Sequence, residues 1–289
     1  MQIDHVLLTR FNLPTQGVES LVRAQEGWLR NRQALFERYC LPAVAGQNER
    51  NFKWVIYLDT QSPQWLRQRI TELEKLGIFT PIYRDEVPHD VLLADIHAVT
   101  GAGGDVLLTT NVDNDDGLAV DFVQRLQLAV KDDSRVAIYL ARGLIQQAGK
   151  LYLRKDPVNA FCSVAESWDN PSTCWSDWHT KLGESMPQVQ LLGAPAWLQV
   201  IHTGNVSNRV RGIRVSPAKF RHGFLVGLNE VQTPSALDIL IDRLVLAPIR
   251  SSKEAVRGAA KKLILAVVGK KGLDNFKTRL ATGSSSRTS

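Results

Sequence analysis

Three carboxylates fall within four positions of the sequence: Asp113, Asp115 and Asp116, with Asn114 between the first two. Carboxylates about 4 Å apart repel one another by roughly 4 kcal/mol per pair at an effective dielectric near 20, so this crowding favours a compensating cation. A hard divalent ion such as Mn²⁺ or Mg²⁺ takes oxygen ligands and bridges to phosphate oxygens. The acidic run, residues 113–116, is therefore predicted to bind a metal; a solvated turn is the alternative.

Two other kinds of carboxylate site were compared with the acidic run. A helix-loop-helix calcium loop requires ligands over twelve positions and a closing Glu. The apolar stretch Gly117-Leu118-Ala119-Val120 follows Asp116 instead, so that type does not fit. A two-metal nuclease or polymerase also uses clustered carboxylates, and the acidic run alone leaves such a nucleic-acid enzyme open.

A second group of candidate residues combines carboxylates with tryptophans, in the segments Ser167–Asn170 and Cys174–His179. Aromatic faces suit the C–H surfaces of sugar rings, while a carboxylate binds hydroxyl groups. A carboxylate beside a bound sugar could also act as a general base toward one of its hydroxyl groups. Asp177 is the preferred base and Asp169 the alternative; a Trp-rich packing cluster is the structural explanation.

The elements that position these residues alternate between apolar runs and helical patterns, as in an α/β layered domain. The acidic run follows a predicted strand, and open α/β sheets bind ligands outside the carboxyl ends of their strands. The predicted strands of this half are His5–Leu8, Trp54–Leu58, Thr80–Tyr83 and Asp105–Asn111. The predicted helices cover Glu19–Val44, a segment from Ser62-Pro63 to Gly77, a segment after Pro88, and a segment with Leu118, Phe122, Leu126 and Val130 on one face.

The pattern changes after residue 134. Residues 135–147 and 151–155 are β-rich, with a hairpin turn predicted at Ala148-Gly149-Lys150. An irregular Trp-rich region follows from Trp168 to Trp197, then a short strand near Leu198–Ile201 and helices from about Pro234. The predicted fold class is thus α/β, with a β-rich and Trp-rich acceptor region and a C-terminal helical tail.

Charge is distributed unevenly along the 289 residues. The net charge is +6, but residues 250–289 alone carry ten Lys or Arg and two acids, which leaves the body at about −2. We therefore predict a domain at residues 1–249 and a basic tail at 250–289 whose Gly283–Ser289 end is disordered. The charge of the body does not support a nucleic-acid footprint.

The chain also indicates where the protein works. The start, Met1–His5, lacks a positively charged n-region and leads into a strand, so no signal peptide is expected. The sequence contains no uninterrupted run of eighteen apolar residues, so no membrane-spanning helix is expected. Cys40, Cys162 and Cys174 form no zinc-like pattern, and free thiols in a reducing cytoplasm are expected.

The basic tail suggests a membrane contact. Lys253, Arg257, Lys261 and Lys262 fall at roughly helical spacing beside an apolar run at residues 263–268, and Lys270-Lys271 follows. An apolar face with basic flanks can lie on anionic lipid. Peripheral attachment to the inner membrane face is one prediction; a tail helix packed on the body is the alternative.

Four segments together resemble a known family, the bacterial putative rhamnosyltransferases, which is similar to glycosyltransferases of the GT-A fold. The resemblance runs from about residue 4 to residue 230 and is strongest before residue 125. The segments are Leu7-Leu8-Thr9-Arg10-Phe11-Asn12, Glu26-Gly27-Trp28-Leu29-Arg30-Asn31-Arg32, Leu35-Phe36-Glu37-Arg38-Tyr39-Cys40-Leu41-Pro42 and Val112-Asp113-Asn114-Asp115-Asp116.

The resemblance implies roles for single residues. Asp113 and Asp115 would be the DxD pair that holds the metal and touches the nucleotide, with Asn114 between them and Asp116 as a further ligand. His202 would add a late metal ligand, and Asn205 and Asn208 polar contacts. The nucleotide would lie against Thr9, Arg10 and Asn12, with Asp59 accepting from its base. The family usually carries Arg two positions before the acidic run, where this chain has Asn111.

The resulting prediction is a GT-A-like, Rossmann-type mixed sheet flanked by helices that carries a metal-dependent, inverting glycosyltransferase. The resemblance implies a nucleotide-diphosphate sugar donor such as dTDP-rhamnose, a glycan or lipid-linked glycan acceptor, and no nucleic-acid partner. The alternatives are a non-catalytic carbohydrate-binding protein on the same fold and a metal-dependent nucleic-acid enzyme.

Overall fold

The computed structural model describes residues 1–14, 27–202 and 209–256. Several sequence predictions lie outside these ranges: the start of the first helix before residue 27, Asn205 and Asn208, and the tail from residue 257 onward, including its predicted disordered end. All statements below concern the described residues.

The first sheet has seven strands in the order β10-β6-β9-β4-β1-β2-β3. Strand β1 pairs in parallel with β2 and β4, and β9 runs antiparallel to its neighbours β4 and β6. The strands are Ile3–Arg10 (β1), Lys53–Asp59 (β2), Thr80–Arg84 (β3), Val106–Asn111 (β4), Val136–Leu140 (β6), Ser163–Glu166 (β9) and Gln188–Leu191 (β10). The predicted α/β fold class with a mixed sheet is confirmed.

Both faces of this sheet are buried. Leu7 packs with Trp54 and Ile56 on one face, whereas Val6 and Leu8 belong to the cluster on the other face. Successive side chains of a strand point to opposite faces, so a strand covered on both sides has a continuous apolar run. This is why Val6-Leu7-Leu8 lacks the alternation of a half-exposed strand.

Helices cover the sheet. Gln64–Glu74 (α3) buries Leu66, Ile70 and Leu73, the apolar face predicted from their spacing. The other helices are Trp28–Leu35 (α1), the π-helical turn Phe36–Cys40, Leu41–Ala45 (α2), His89–Thr100 (α4), Phe122–Ala129 (α5), and the 3-10 turns Leu182–Glu184, Pro217–Lys219 and Arg221–Gly223.

A second sheet of five strands has the order β12-β8-β7-β11-β5. Its strands are Gly117–Leu118 (β5), Arg142–Gln147 (β7), Lys150–Lys155 (β8), Trp197–Ile201 (β11) and Ile213–Arg214 (β12). Ala148 and Gly149 both have positive φ, at 46° and 72°. This is the backbone of a two-residue hairpin turn and confirms the predicted turn between β7 and β8.

Leu118 is a correction to the sequence analysis. It was assigned to the same helix face as Phe122, but it lies in β5 and pairs with Trp197 of β11. Its spacing from Phe122 matched a helical period by coincidence, because the helix begins only at Phe122. Strand β5 places the chain directly after the acidic run in the second sheet, so this run connects the two sheets.

The chain ends its described part in a helix. Ala236–Ile241 (α6) continues through the π-helical turn Asp242–Leu246 and onward over residues 247–256. The predicted domain boundary at residue 249 therefore falls inside a continuous helix. Within the described ranges, no helix is both long and apolar enough to cross a bilayer.

Candidate active site

A cavity of about 620 Å³ lies outside the carboxyl ends of β1 and β4. Arg10 at the end of β1, Asn111 at the end of β4 and Asp113 of the acidic run line one side. Trp175, Asp177, Trp178 and His179 line another part, and residues 175–179 are called the aromatic loop below. The cavity thus contains one residue each from three predicted groups: Arg10, Asp113 and Asp177.

Of the three predicted residues after β1, only Arg10 lines the cavity. Its guanidinium carbon lies 4.1 Å from the centre of the Trp175 ring, which is within cation–π range. Thr9 is fully buried; its hydroxyl donates to the carbonyl of Val112 at 2.8 Å and accepts from Trp54 Nε1 at 2.9 Å. Thr9 therefore holds the backbone just before the acidic run.

Asn12 and Asp59 form a second structural pair at the same edge of the sheet. Asn12 Oδ1 accepts from the Asp59 amide at 3.1 Å, and Asn12 Nδ2 donates to the Ser62 hydroxyl at 3.0 Å. Asp59 Oδ1 accepts from the Gln61 amide at 2.7 Å. These bonds close the turn after β2, and neither residue lines the cavity.

Asp113 is the carboxylate of the acidic run that faces the cavity. Although solvent reaches it from the cavity, the surrounding protein removes much of its hydration, and the neighbouring Asp115 charge repels it. Together these effects raise the pKa of Asp113 to about 6, although hydrogen bonding from Asn111 and the charges of Arg32 and Arg10 oppose the rise.

Asp115 is buried and has two cationic or polar neighbours. Arg32 of α1 forms an ion pair with its Oδ2 oxygen, and His202 Nε2 lies 2.9 Å from the same oxygen. Burial alone would raise the pKa of Asp115, but the His202 hydrogen bond and the Arg32 charge lower it. The carboxylate is therefore held in its charged form.

Asn114 and Asp116 serve the architecture of the loop. Asn114 Nδ2 donates to the carbonyl of Phe11 at 2.8 Å, and its Oδ1 accepts from Arg32 at 3.1 Å. Asp116 is 1% exposed, and its Oδ1 accepts from the Val200 amide of β11 at 2.8 Å. Burial, reinforced by the charges of Asp115 and Asp113, raises the pKa of Asp116 well above its usual value. Neither residue lines the cavity.

The residues can be tested for their fit to a divalent ion. Two ligands side by side at about 2.1 Å from one octahedral ion lie about 3 Å apart, and Asp115 Oδ2 and His202 Nε2 are separated by 2.9 Å. Magnesium-type ions need only one or two carboxylates because substrate phosphates and water complete their shell. No group of three His, Cys, Asp or Glu converges on one point among the described residues. Asp115 and His202 are thus close enough to share one ion, but the Asp115 oxygen now bonds Arg32 and His202, and neither Asp115 nor His202 lines the cavity.

The aromatic loop provides the exposed side of the cavity. Asp177 is exposed, and its Oδ1 accepts from the Trp178 amide at 2.6 Å, while the Trp178 side chain is 73% exposed. Trp175 Nε1 donates to Asn111 Oδ1 at 2.8 Å and ties the loop to β4. This bond requires an acceptor at position 111, which the Asn111 side-chain oxygen supplies.

Asp169 lies near the amino ends of β1 and β4, whereas the cavity lies at their carboxyl ends. It follows β9, whose last residue pairs with Leu107 at the beginning of β4, and the neighbouring Trp168 donates to Asp4 at 3.1 Å. The chain then returns along β4, where the Cys174 amide donates to Thr109 at 2.8 Å. Asp177 and Asp169 are therefore separated by the length of a strand, and only Asp177 lines the cavity.

The sequence analysis missed several residues of the site. Arg154, Asp156, Arg209 and Arg211 line the cavity, and Arg154 Nε has no hydrogen-bond partner within the described structure. His179 is also in the lining; burial lowers its pKa, and the charge of Asp156 opposes the shift. Arg154 and Asp156 occur where β8 ends, which is the one signal that could have indicated them.

The three cysteines are buried and free. Cys162 and Cys174 line the inner end of the cavity, and the hydrogen bond with Cys174, together with burial, raises the pKa of Cys162 well above its usual value. A thiol with a raised pKa is a poor nucleophile and a poor metal ligand, so Cys162 acts as packing.

A sequence-family model described as putative rhamnosyl transferase matches residues 4–214. No protein of curated function matches the sequence.

Several solved structures are similar to this chain at low identity and low TM-score. S. aureus TarS 1-349 in complex with UDP-GlcNAc is 12% identical, with a TM-score of 0.39, over 76% of this chain and 63% of that one. A putative nucleotide-diphospho-sugar transferase from Desulfovibrio desulfuricans G20 is 12% identical, with a TM-score of 0.34, over 69% and 81% of the two chains. The inositol-1-phosphate CTP transferase from T. maritima is 10% identical, with a TM-score of 0.34, over 72% and 94%. The chain thus spans about 63% of the TarS fragment.

Proposed function

Because the chain belongs to the putative rhamnosyl transferase family, and is therefore a glycosyltransferase, we propose that it transfers rhamnose from a nucleotide-diphosphate donor to a hydroxyl of a glycan. dTDP-rhamnose is the expected donor. The observation that carries the proposal is the cavity, which has charged residues suited to a diphosphate on one side and an aromatic loop with a carboxylate on the other. Family membership favours this activity over a non-catalytic binding protein or a nucleic-acid enzyme.

The cationic residues of the cavity support an anionic donor. Arg10, Arg154, Arg209 and Arg211 all line it, and an Arg side chain offers paired N–H donors that match phosphate oxygens. The unpartnered Nε of Arg154 is a buried donor that a ligand oxygen would satisfy. Arg10 is held over Trp175, so it is already oriented before a donor binds.

Metal dependence is part of the proposal. Asp115 and His202 would hold the ion, and Asp113, which faces the cavity, would contact the nucleotide or the water around the ion. A bound divalent ion would neutralise charge on the diphosphate as it leaves. Arg32 would keep the Asp115 carboxylate in its charged form for that ion.

The aromatic loop is proposed to bind the acceptor. The exposed ring of Trp178 would stack on a sugar face, and Asp177 beside it would accept the proton of the attacking hydroxyl. The acceptor oxygen bonds to the anomeric carbon while the bond from that carbon to the diphosphate oxygen breaks. The nucleoside diphosphate departs with the electron pair, and attack from the opposite side inverts the anomeric centre.

Donor turnover tests the proposal. Release of nucleoside diphosphate would be measured for a panel of nucleotide-diphosphate sugars, with Mn²⁺, with Mg²⁺ and with a chelator. We expect turnover of a dTDP-linked deoxyhexose only with a cation. Asp115→Asn should lower kcat/KM by about 10²–10³-fold, because it removes the charge at the proposed metal site while keeping the side-chain shape.

Asp133→Asn is the matched control, since Asp133 is exposed in the turn before β6, away from the cavity. It should leave turnover unchanged. Full activity of Asp115→Asn, or full activity in chelator, would reject the metal assignment. Binding of donors without turnover under any condition would instead support the carbohydrate-binding alternative.

The proposed cellular location is the cytoplasm, which keeps free thiols such as Cys40 reduced.

A further inference from the structure

The C-terminal helix, residues 236–256, exposes its apolar face, whereas an ordinary surface helix buries that face against the core. Its outer face consists of Leu237, Leu240, Ile241, Leu244, Val245 and Ile249, which are between 44% and 66% exposed. These positions follow i, i+3, i+4 and i+7 spacing and so form one stripe. In a soluble domain such a stripe normally faces the core, but here it faces away from the body.

The inner face of the same helix is charged and contacts the body through hydrogen bonds and ion pairs. Asp242 is 1% exposed; the Arg214 amide of β12 donates to it at 2.8 Å, and Arg250 of the same helix pairs with it at 2.7 Å. Farther along, Glu254 pairs with Arg211 at 2.7 Å and with Arg209 at 3.3 Å. The bonds to Arg214, Arg211 and Arg209 fix the rotation of the helix about its axis. The apolar stripe therefore cannot turn inward without breaking the bond between the buried Asp242 carboxylate and β12.

We propose that this outer face docks on an anionic lipid surface. All six residues of the face are aliphatic, and residues 236–256 contain no aromatic residue and no Met. Protein–protein interfaces are enriched in aromatic residues, Met and Arg, none of which occurs in this face, whereas an interfacial helix needs an apolar face that it buries at the level of the lipid headgroups. The composition of the face thus favours lipid over a protein partner.

Charge favours an anionic lipid surface over a second copy of the chain as the partner of the outer face. Residues 257–289 carry eight Lys or Arg and one acid, and they follow the outer face directly in sequence. Two copies docked through this face would bring two strongly basic segments together, which costs free energy. Anionic lipid attracts such segments, by about 1 kcal/mol for each Lys or Arg near the surface.

The docked helix would also orient the cavity. Glu254 holds Arg209 and Arg211, and both of these line the cavity, so the helix and the cavity wall form one unit. A lipid-linked acceptor would then meet the cavity at the membrane surface. This last step rests on the proposed function, whereas the docking itself does not.

Vesicle sedimentation tests the docking. The full chain would be mixed with vesicles of phosphatidylcholine containing phosphatidylglycerol and, separately, with phosphatidylcholine alone. We expect sedimentation with the anionic vesicles. The double variant Leu240→Ser with Leu244→Ser should lower the partition coefficient by about tenfold or more, because two leucines leave the buried face.

The matched control is Leu128→Ser with Leu192→Ser, which removes two leucines that are 69% and 59% exposed elsewhere on the surface. It should bind vesicles like the parent chain. Equal binding by the outer-face variant and this control would overturn the proposal. The proposal would also be overturned if the parent chain did not bind vesicles but formed a dimer, detected by light scattering, that the outer-face variant failed to form.

A further arm examines the chain's own basic segment. If removal of residues 257–289 created vesicle binding that the full chain lacks, that segment would be the cover of the face, and the proposal would be overturned. Donor turnover without vesicles is measured for every variant and should stay at the parent value. If the parent chain bound vesicles but showed no donor turnover, that result would count against the proposed function alone.

Discussion

The acidic run and the aromatic loop are built in opposite ways. In the acidic run, Asp115 and Asp116 are buried and already hold partners: Arg32 and His202 for the first, the Val200 amide for the second. In the aromatic loop, Asp177 and Trp178 are exposed. Groups that stabilise developing charge work best when they are fixed before the reaction, whereas groups that receive a variable acceptor need only be reachable. This difference supports our proposal that the donor binds beside the acidic run and the acceptor at the aromatic loop.

This comparison makes a general expectation for variants. A change in or beneath the acidic run should reduce both stability and activity, because its side chains also bond the sheets together. A change in the aromatic loop should reduce transfer to the acceptor and leave stability near the parent value. Three variants test this expectation, beginning with the largest effect.

Asp177→Asn should lower kcat for transfer by about 10²–10³-fold, because the amide cannot take the proton of the acceptor hydroxyl. The free energy of unfolding should stay within about 0.5 kcal/mol of the parent value, since Asp177 is exposed. The measurement is transfer of labelled sugar, together with denaturant unfolding.

Asp169→Asn is the matched control for that experiment. Asp169 is also exposed and belongs to the same Trp-rich region, but it lies at the end of the sheet away from the cavity. It should transfer sugar at the parent rate. If Asp169→Asn were the slow variant and Asp177→Asn the normal one, the assignment of the acceptor side would be wrong.

The position of Asp169 also shows what sequence patterns can and cannot predict. Strands β1, β2 and β4 were predicted because buried parallel strands have continuous apolar runs, and the acidic run was correctly placed after β4. Strand β9 was not predicted, because it is short and begins with Ser163. Since β9 runs antiparallel to β4, it ends beside the amino end of β4, and Asp169 therefore lies at the end of the sheet away from the cavity.

The partners of the acidic run could not be predicted either. Arg32 and Val200 are distant in sequence from Asp115 and Asp116, and only the packing of α1 and β11 brings them together. Spacing identified a group of carboxylates, but it could not show which of them faces the cavity. The inner face of the C-terminal helix was missed for the same reason, because its ion pairs to Arg214 and Arg211 join separate parts of the chain.

Thr9→Val tests the structural role of the acidic side. The variant keeps the side-chain shape but leaves Trp54 Nε1 and the Val112 carbonyl without their partner in a fully buried position. We expect the free energy of unfolding to fall by about 2–3 kcal/mol, measured by denaturant unfolding. Thr71→Val, on the exposed face of α3, is the control and should change it by less than about 0.5 kcal/mol. A parent-like Thr9→Val would mean that the acidic run does not depend on this support.

Trp178→Ala should have the smallest effect and the most selective one. Its ring is 73% exposed at the cavity, so its loss removes stacking area from an acceptor sugar without opening a hole in the core. We expect KM for the acceptor to rise by about three- to tenfold, with release of nucleoside diphosphate in the absence of acceptor unchanged. Trp178→Phe keeps an aromatic face and should restore most of the acceptor affinity. A variant that instead weakens donor turnover would place the donor against the aromatic loop, and the division of the cavity into a donor side and an acceptor side would have to be reversed.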